Sequence, residues 1–501
     1  MSEDHKGPIS DPVSEAEIAP GLVPANVDEI SRKLRRKVLL KIDLVILPIL
    51  FIAQFLSFLD KNGLAYAAIY GMQKDAHLVG QEYSWLGSIF YFGYLAMEFP
   101  TMWLLTKVPI GKYIGVSIIG FGLVLCCMTG AKSFAGLAAA RFVLGMFEAG
   151  LLPSFIILNS VWYRREEQPL RTAIWWNTFA GIFGGILSYA IGHIVGPLST
   201  WKYIFIIYGA ISMFLGIVTL FVLPDSAQNA WFLTAEEKQV AFSRTAANQT
   251  GVNTHRSFKL SQVLEALADP KYWVMVIFAI AQALTNAGVT NFNPLIISGY
   301  GFSTSKTALM ASPQAAVAFI AQVSCTVLTF FVPNIRCLLW VLSCLPALAG
   351  AIMIRLLDPT LHRDASLTGV YLMGFYNPSW ILMLSLQSSN TAGMTKKSFV
   401  SGSVAVCYAI GNIIGPQFFR ASQKPHYQLG IGAMLCAFCI MAGMGILYWI
   451  ICVYQNSVKN RAASASAGSS PETQKDDLAH VQETEVQDLT DVQNPTFRYT
   501  Y

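Results

Sequence analysis

Between Leu44 and Cys452 the sequence is divided into apolar runs of the length that crosses a bilayer, and this spacing constrains the fold more than any other feature. A spanning helix needs about 20 mostly apolar residues. Twelve such runs lie near 43–65, 83–106, 112–130, 134–158, 171–194, 202–223, 271–298, 307–331, 336–356, 367–389, 398–419 and 430–453. Six precede and six follow one long polar stretch, Pro224–Pro270. A chain that is 54% hydrophobic and only 13% charged lies outside the range of soluble domains. The expected fold is an all-α polytopic membrane protein. Residues 1–42 read as an N-terminal segment, 43–223 and 271–455 as two six-helix bundles, 224–270 as a central loop, and 456–501 as a disordered tail.

Orientation follows from the basic residues. The cluster "SRKLRRKVLLK" (Ser31–Lys41) abuts the first run, so the positive-inside rule places the N-terminus in the cytoplasm. An even number of crossings brings the C-terminus to the same side, together with the loop "WYRREEQPLR" (Trp162–Arg171) and the central loop. Residues 1–42 lack the basic, apolar and cleavage regions of a secretory signal, so the first helix is expected to be retained. The net charge of +5 is a topology signal. No basic surface with interleaved aromatics suggests nucleic acid as a partner. All nine cysteines fall in the apolar runs, which argues against a disulfide framework, and "CAFC" (Cys436–Cys439) reads as two small residues on one helix face. The sequon at Asn248 lies in the cytoplasmic loop and is expected to be unused. No phosphate loop, metal cluster or nucleophile–base arrangement points to an enzyme, and no cofactor is implied.

One segment occurs twice. "YAIGHIVGP" (Tyr189–Pro197) returns as "YAIGNIIGP" (Tyr408–Pro416) with seven of nine residues unchanged. The copies fall on the fifth and eleventh runs, where a 6+6 duplication places equivalent helices. Carriers are often built from such repeats, with the solute site near the midplane between the halves. Glycines four apart, Gly192/Gly196 and Gly411/Gly415, suit close helix packing.

Four strings, "RFVLGMFEAGLLPS" (Arg141–Ser154), "WYRREEQPLR", "LPDSAQNAWFLTAEE" (Leu223–Glu237) and "KKSFVSGSVAVCYAIGNIIGPQFFR" (Lys396–Arg420), carry a family resemblance. Together with the twelve-helix plan, over residues 40–456, they resemble the fungal allantoate permease branch of the anion:cation symporter group in the major facilitator superfamily. The fold implied is two six-helix pseudo-repeats. The superfamily loop G-x-x-x-D-R-x-G-R-R appears only as "LLTKVPIGKY" (Leu104–Tyr113), without its aspartate. A salt bridge through that aspartate therefore does not carry over.

Arg141 and Glu148 lie in a run that must cross hydrocarbon, where an ionisable group costs about 2.5–3.5 kcal/mol on insertion scales. Seven positions place both on one helix face but about 10.5 Å apart along the axis, too far for a close pair. Each needs another partner, and "FLDKNGLAYA" (Phe58–Ala67) offers Asp60 and Lys61. In bacterial sugar-acid symporters, sialin and the vesicular glutamate transporters, an acid at the Glu148 position and the arginine seven before it are functional, and the bacterial members carry an acidic–basic pair in helix 1. The resemblance thus implies Glu148 as the main proton acceptor, Asp60 as a second proton site, Arg141 as the group coupling them, and Lys61 as a holder of a solute carboxylate. The alternative is a structural ion-pair network. Lysine in place of the arginine usual there keeps the charge but loses the planar fork.

Asn412 resembles a solute-binding asparagine of the bacterial relatives, and its amide offers donors and an acceptor to an anionic solute. Tyr91, Tyr94, Asn177, Asn291 and Asn293 are further candidates for the cavity lining, with helix packing as the alternative for each. His193 can titrate near neutral pH, and "WYRREEQPLR" suits contact between halves in one access state or a solvated loop.

The function implied is proton-coupled uptake of a small organic anion, such as a ureide, a vitamin carboxylate or a short carboxylic acid, by a monomer in the plasma membrane. Its partners are the solute, protons and the bilayer, and the proton gradient drives it. Two other readings stay open. One is a proton-driven exporter, for which "GHIVGP" partly resembles a drug-antiporter motif; the other is a nutrient sensor that keeps the carrier fold.

Overall fold

The computed structural model describes residues 25–164, 166–176, 179–246, 258–359, 361–466 and 488–501; it is helical, with no strand among the described residues. The first half contains α1 (Ala25–Ile69), α2 (Glu82–Leu104), α3 (Ile110–Met128), α4 (Phe134–Glu148), α5 (Leu151–Trp162), α6 (Gln168–Trp175), α7 (Ala180–Ile191) and α8 (Thr200–Val222). Two helices, α9 (Ala235–Ala246) and α10 (Leu260–Ala268), stand in the central stretch. The second half contains α11 (Pro270–Ser298), α12 (Thr304–Phe331), α13 (Arg336–Leu356), α14 (Arg363–Leu372), α15 (Asn377–Asn390), α16 (Met394–Ile414) and α17 (Gln428–Ser466).

Three crossings are each made of two pieces, α4–α5, α6–α7 and α14–α15, which brings the described helices to the twelve crossings expected. Among the described residues nine stretches are by themselves long and apolar enough to span a bilayer. The other three are α2, α6–α7 and α14–α15, which are more polar or broken. Both ends of the helical region lie on one face, called here the terminal face; the opposite one is the far face.

Helix starts follow local chemistry. Ser133 accepts from the Gly136 N–H at the head of α4, and Asp269 accepts from the Lys271 N–H at the head of α11, with Pro270 in the first turn. In "LTAEE" Thr234 and Glu237 form a reciprocal capping box at the head of α9, at 3.1 and 3.4 Å. The Glu237 carboxylate also holds Lys41 of α1 at 2.7 Å, so α9 is clamped to the first half. The loop "LLTKVPIGKY" receives an acidic partner from the "LPDSAQNAWFLTAEE" string. Asp225 accepts from the Gly111 N–H at 2.8 Å and supplies the negative charge that the N-terminus of α3 favours.

Glycine sets the helix spacing around the charged residues. A Cβ on Gly145 of α4 would lie 2.0 Å from the Phe90 carbonyl, and one on Gly93 of α2 would lie 2.0 Å from the Phe142 carbonyl. Backbones therefore touch, and α4 presents Arg141 and Glu148 directly beside α2.

The duplicated segments differ in depth. Tyr408–Pro416 stays within α16 and a following 3₁₀ turn, and a Cβ on Gly411 would meet the Ile280 carbonyl of α11 at 2.5 Å. Tyr189–Pro197 leaves its helix at Ile191, and its glycines instead face the hydroxyls of Tyr70 and Tyr203. Asn412 is fully buried, whereas His193 is exposed, 4.7 Å ring to ring from Tyr189.

One expectation is corrected. The region after residue 455 is not a disordered appendage throughout: α17 continues to Ser466, and residues 488–501 pack on the second half with Thr490 and Asp491 wholly buried. The cause is charge pairing: Asp491 sits between Lys271 and Lys396, a partnership that composition does not show.

Candidate functional site

Four ionisable side chains meet inside the first half. Asp60 and Lys61 come from α1, and Arg141 and Glu148 from α4; Asp60 is fully buried, and Arg141 and Glu148 are 2% and 3% exposed. Lys61 Nζ lies 3.2 Å from Glu148 Oε2, so the helix-1 lysine is the cation that Glu148 lacks within its own helix. Arg141 in turn sits in the field of Asp60 first, then of Tyr83 and Glu148. Its guanidinium carbon is 6.0 Å from the Phe205 ring centre. Both carboxylate oxygens of Asp60, and Nε and Nη2 of Arg141, have no hydrogen-bond partner among the described residues. Buried charges without hydrogen bonds are expensive. A cluster of two acids and two bases is neutral as a set but under-satisfied, which suits it to taking up a proton or an anion.

The two members of the close pair differ in access. The side chain of Lys61 keeps 28% exposure while that of Glu148 keeps 1%, so the lysine is the more accessible partner and the carboxylate is buried. Phe58 and Phe90 rings flank the ammonium at 5.9 and 5.8 Å. Tyr91 and Tyr94 of α2, half-buried and 6.4 Å apart, continue this wall, and both are electrostatic neighbours of Glu148.

Among the described residues the second half contributes no charged side chain to this neighbourhood. The Tyr376 hydroxyl donates to Asn286 Oδ1 at 3.1 Å, Asn286 Nδ2 donates to Asn412 Oδ1 at 3.0 Å, and Asn412 Nδ2 donates to the Tyr408 carbonyl at 2.9 Å. Trp380 packs on Tyr408 at 4.8 Å, and Tyr408 lies in the electrostatic neighbourhood of Tyr91 and Lys61. The site therefore has a charged wall from α1 and α4 and an amide–aromatic wall from α11, α15 and α16.

Sequence reasoning named Asn412 but missed Asn286, Tyr376, Tyr408 and Trp380. Asn286 was findable, being an amide in an apolar run like Asn291 and Asn293. Those two stand elsewhere. Asn291 donates to the Ala287 carbonyl of its own helix and accepts the Tyr83 hydroxyl on its carbonyl at 2.7 Å, between α11 and α2. Asn293 is buried with Oδ1 unpartnered among the described residues. Asn177 lies outside the described residues.

Hydrogen bonds between the halves gather toward the far face. Ser88 Oγ donates to the Ile413 carbonyl at 2.6 Å, Ser84 Oγ to the Phe419 carbonyl at 3.1 Å, and Gln81 Oε1 accepts the Ala421 N–H at 2.9 Å. Phe292 and Phe419 stack at 4.2 Å beside them. With the far face closed by these contacts, the terminal face is the one left for access to the half-buried Lys61. From the "WYRREEQPLR" loop, Arg171 pairs with Asp43 of α1 at 2.9 Å and Glu167 with Arg244 of α9 in the central stretch at 2.7 Å.

Comparison with known proteins agrees with this architecture. Residues 50–416 match the Major Facilitator Superfamily model. An uncharacterized transporter of Schizosaccharomyces pombe is 37% identical, over 93% of this chain and 87% of its own length. The allantoate permease of Saccharomyces cerevisiae is 30% identical over 94% and 88%, and a thiamine pathway transporter of the same yeast 33% over 94% and 87%. Among solved structures, a D-xylose-proton symporter superposes with a TM-score of 0.63 at 11% identity, covering 81% of this chain and 97% of that one. A bacterial homologue of the lysosomal transporter Spinster gives 0.61 at 16%, covering 83% and 97%. The chain belongs to the Major Facilitator Superfamily, in its fungal permease branch, and is a membrane transporter, not an enzyme.

Proposed function

We propose that the protein is a proton-coupled importer of a small organic anion, working by alternating access in the plasma membrane with both termini cytoplasmic. The observation that carries this reading is the Lys61–Glu148 pair, 3.2 Å apart with the lysine the more accessible partner and the acid buried. An empty carrier satisfies Lys61 with Glu148. A proton arriving on Glu148 removes that partner, and the freed ammonium then attracts a carboxylate from the cavity. Proton and anion thus favour each other's binding, which is the thermodynamic requirement for symport. Arg141 and Asp60 form the second pair of the cluster, and Asp60 offers another place for a proton. Asn286 and Tyr408, partly accessible and backed by the buried Tyr376 and Asn412, offer polar groups to the uncharged part of the solute, which suits an amide-rich anion of the ureide type.

Similarity to the yeast allantoate permease and thiamine pathway transporter supports including such nitrogen-containing solutes among the candidates. The test uses proteoliposomes under an imposed proton gradient, screened with labelled ureides, vitamin carboxylates and short carboxylic acids. Uphill uptake that collapses with a protonophore is expected for at least one anion. Anion flux indifferent to the gradient contradicts the coupling.

A further inference from the structure

The C-terminal residues make a second polar site, remote from the cluster of charges in the first half. Asp491 is wholly buried; its Oδ1 accepts from Lys396 Nζ at 2.7 Å and its Oδ2 accepts the Tyr499 hydroxyl at 2.9 Å, with Lys271 Nζ 3.5 Å away. Lys271 also lies 3.5 Å from the centre of the Tyr499 ring, a cation–π contact in a desolvated place. Thr490, equally buried, donates to Glu265 Oε2 of α10 at 3.0 Å.

Two asparagines then hold the segment by its backbone. Asn456 of α17 donates to the Tyr499 carbonyl at 2.8 Å and accepts the Tyr499 N–H at 2.9 Å. Asn390 at the end of α15 does the same for Thr500, at 2.7 and 2.8 Å. Such paired amide contacts reproduce one rung of a sheet ladder, and they read an extended strand without regard to its side chains.

What the segment holds matters more than how tightly. Its partners at Asn390, at the Ala392 N–H (to Asp491 Oδ1, 3.3 Å), at the Met394 N–H (to Asp488 Oδ1, 2.7 Å) and at Lys396 are the consecutive end of α15, turn and start of α16. Those two helices carry Trp380 and Tyr408–Asn412, and Tyr376 caps the start of α15, so together they bear the amide–aromatic wall of the cavity. The segment and the cavity wall are opposite ends of one hairpin.

We propose that Lys271, Lys396, Asn390 and Asn456 form a peptide-binding socket whose ligand is the chain's own residues 488–501, and that the seated segment pins the α15–α16 hairpin in the arrangement open to the terminal face. Leaving the socket frees the hairpin to move against the first half. The link to access rests on the alternating-access reading above; the binding site itself does not.

The experiment uses the purified full chain, the Asp491→Ala chain and a chain ending at residue 487. Hydrogen exchange of the 388–397 amides is expected to rise at least tenfold in both altered proteins. A synthetic peptide of residues 488–501 added to the shortened chain is expected to restore protection, and the same peptide carrying Asp491→Ala is not. Unchanged exchange, or equal rescue by both peptides, overturns the socket. A spin-label pair bridging the far face reads the access state: the altered chains are expected to gain a longer, far-face-open distance. An unchanged distance distribution overturns the link to access while leaving transport itself untouched.

Discussion

The two halves of the cavity differ in chemical character. The first carries Asp60, Lys61, Arg141 and Glu148, three of them buried, whereas the second meets them with Asn286, Asn412, Tyr376 and Tyr408 and, among the described residues, no carboxylate or cationic side chain. A duplicated architecture thus did not duplicate the site. Charges can exchange a proton for a solute contact, while neutral amides and hydroxyls can only choose among solutes. On the proposed function, drive resides in one half and selectivity in the other.

The comparison can be broken by substitutions on either side. The largest expected effect is from Lys61→Ala. Losing the ammonium removes a charged contact worth about 2 kcal/mol, so the KM for the anion should rise about 30-fold in initial-rate uptake. An unchanged KM would detach Lys61 from the solute. On the other wall, Asn286→Ala breaks the chain from Tyr376 to Asn412 and removes about 1 kcal/mol of hydrogen bonding. A KM about 5-fold higher is expected, with the ratio of protons to solute unchanged in a coupled-flux assay. A changed ratio would erase the division between the halves.

The smallest effect concerns pH at the terminal face. Burial pushes the Asp491 carboxyl up, but Lys396 and Lys271 outweigh it and hold the group below the usual carboxylate range. The other groups facing it are Lys459 of α17, Glu265 of α10, Asp269 and Tyr499. A depressed folded-state pKa means the seating energy is present above the ordinary carboxylate pKa and is lost only as pH falls through the lower folded value. Protection of the 388–397 amides, corrected for intrinsic exchange, should therefore be the same at pH 8 and pH 5. Loss of protection by pH 5 would show that Asp491 is not held by the lysines.

The order of legibility has physical reasons. Helix number, the two halves and the duplicated segment were readable because each depends on local hydrophobicity and on repetition along the chain. The placement of Arg141 and Glu148 on one face followed from helix periodicity, and ideal geometry already ruled out a close pair between them. Their partners were narrowed by elimination, since Asp60 and Lys61 were the acidic–basic neighbours left in the apolar runs. Asn286 escaped because its meaning comes from Asn412 and Tyr376, distant in sequence and brought close only by packing. The tail was misread for the same reason at larger scale. Asp491 stands in a polar stretch, and the lysines, asparagines and helix ends that bury it come from residues 262–271, 390–396 and 456. Composition describes a segment's own chemistry and is silent about a socket built elsewhere.

The central claim is that Glu148, the buried partner of Lys61, is where the proton enters the cycle. Its most direct test measures proton-driven accumulation and solute exchange in the same vesicles carrying Glu148→Gln, because glutamine keeps the shape and cannot titrate. The predicted result is loss of uphill accumulation to the equilibrium level with exchange retained. Accumulation at the unaltered level would contradict the account.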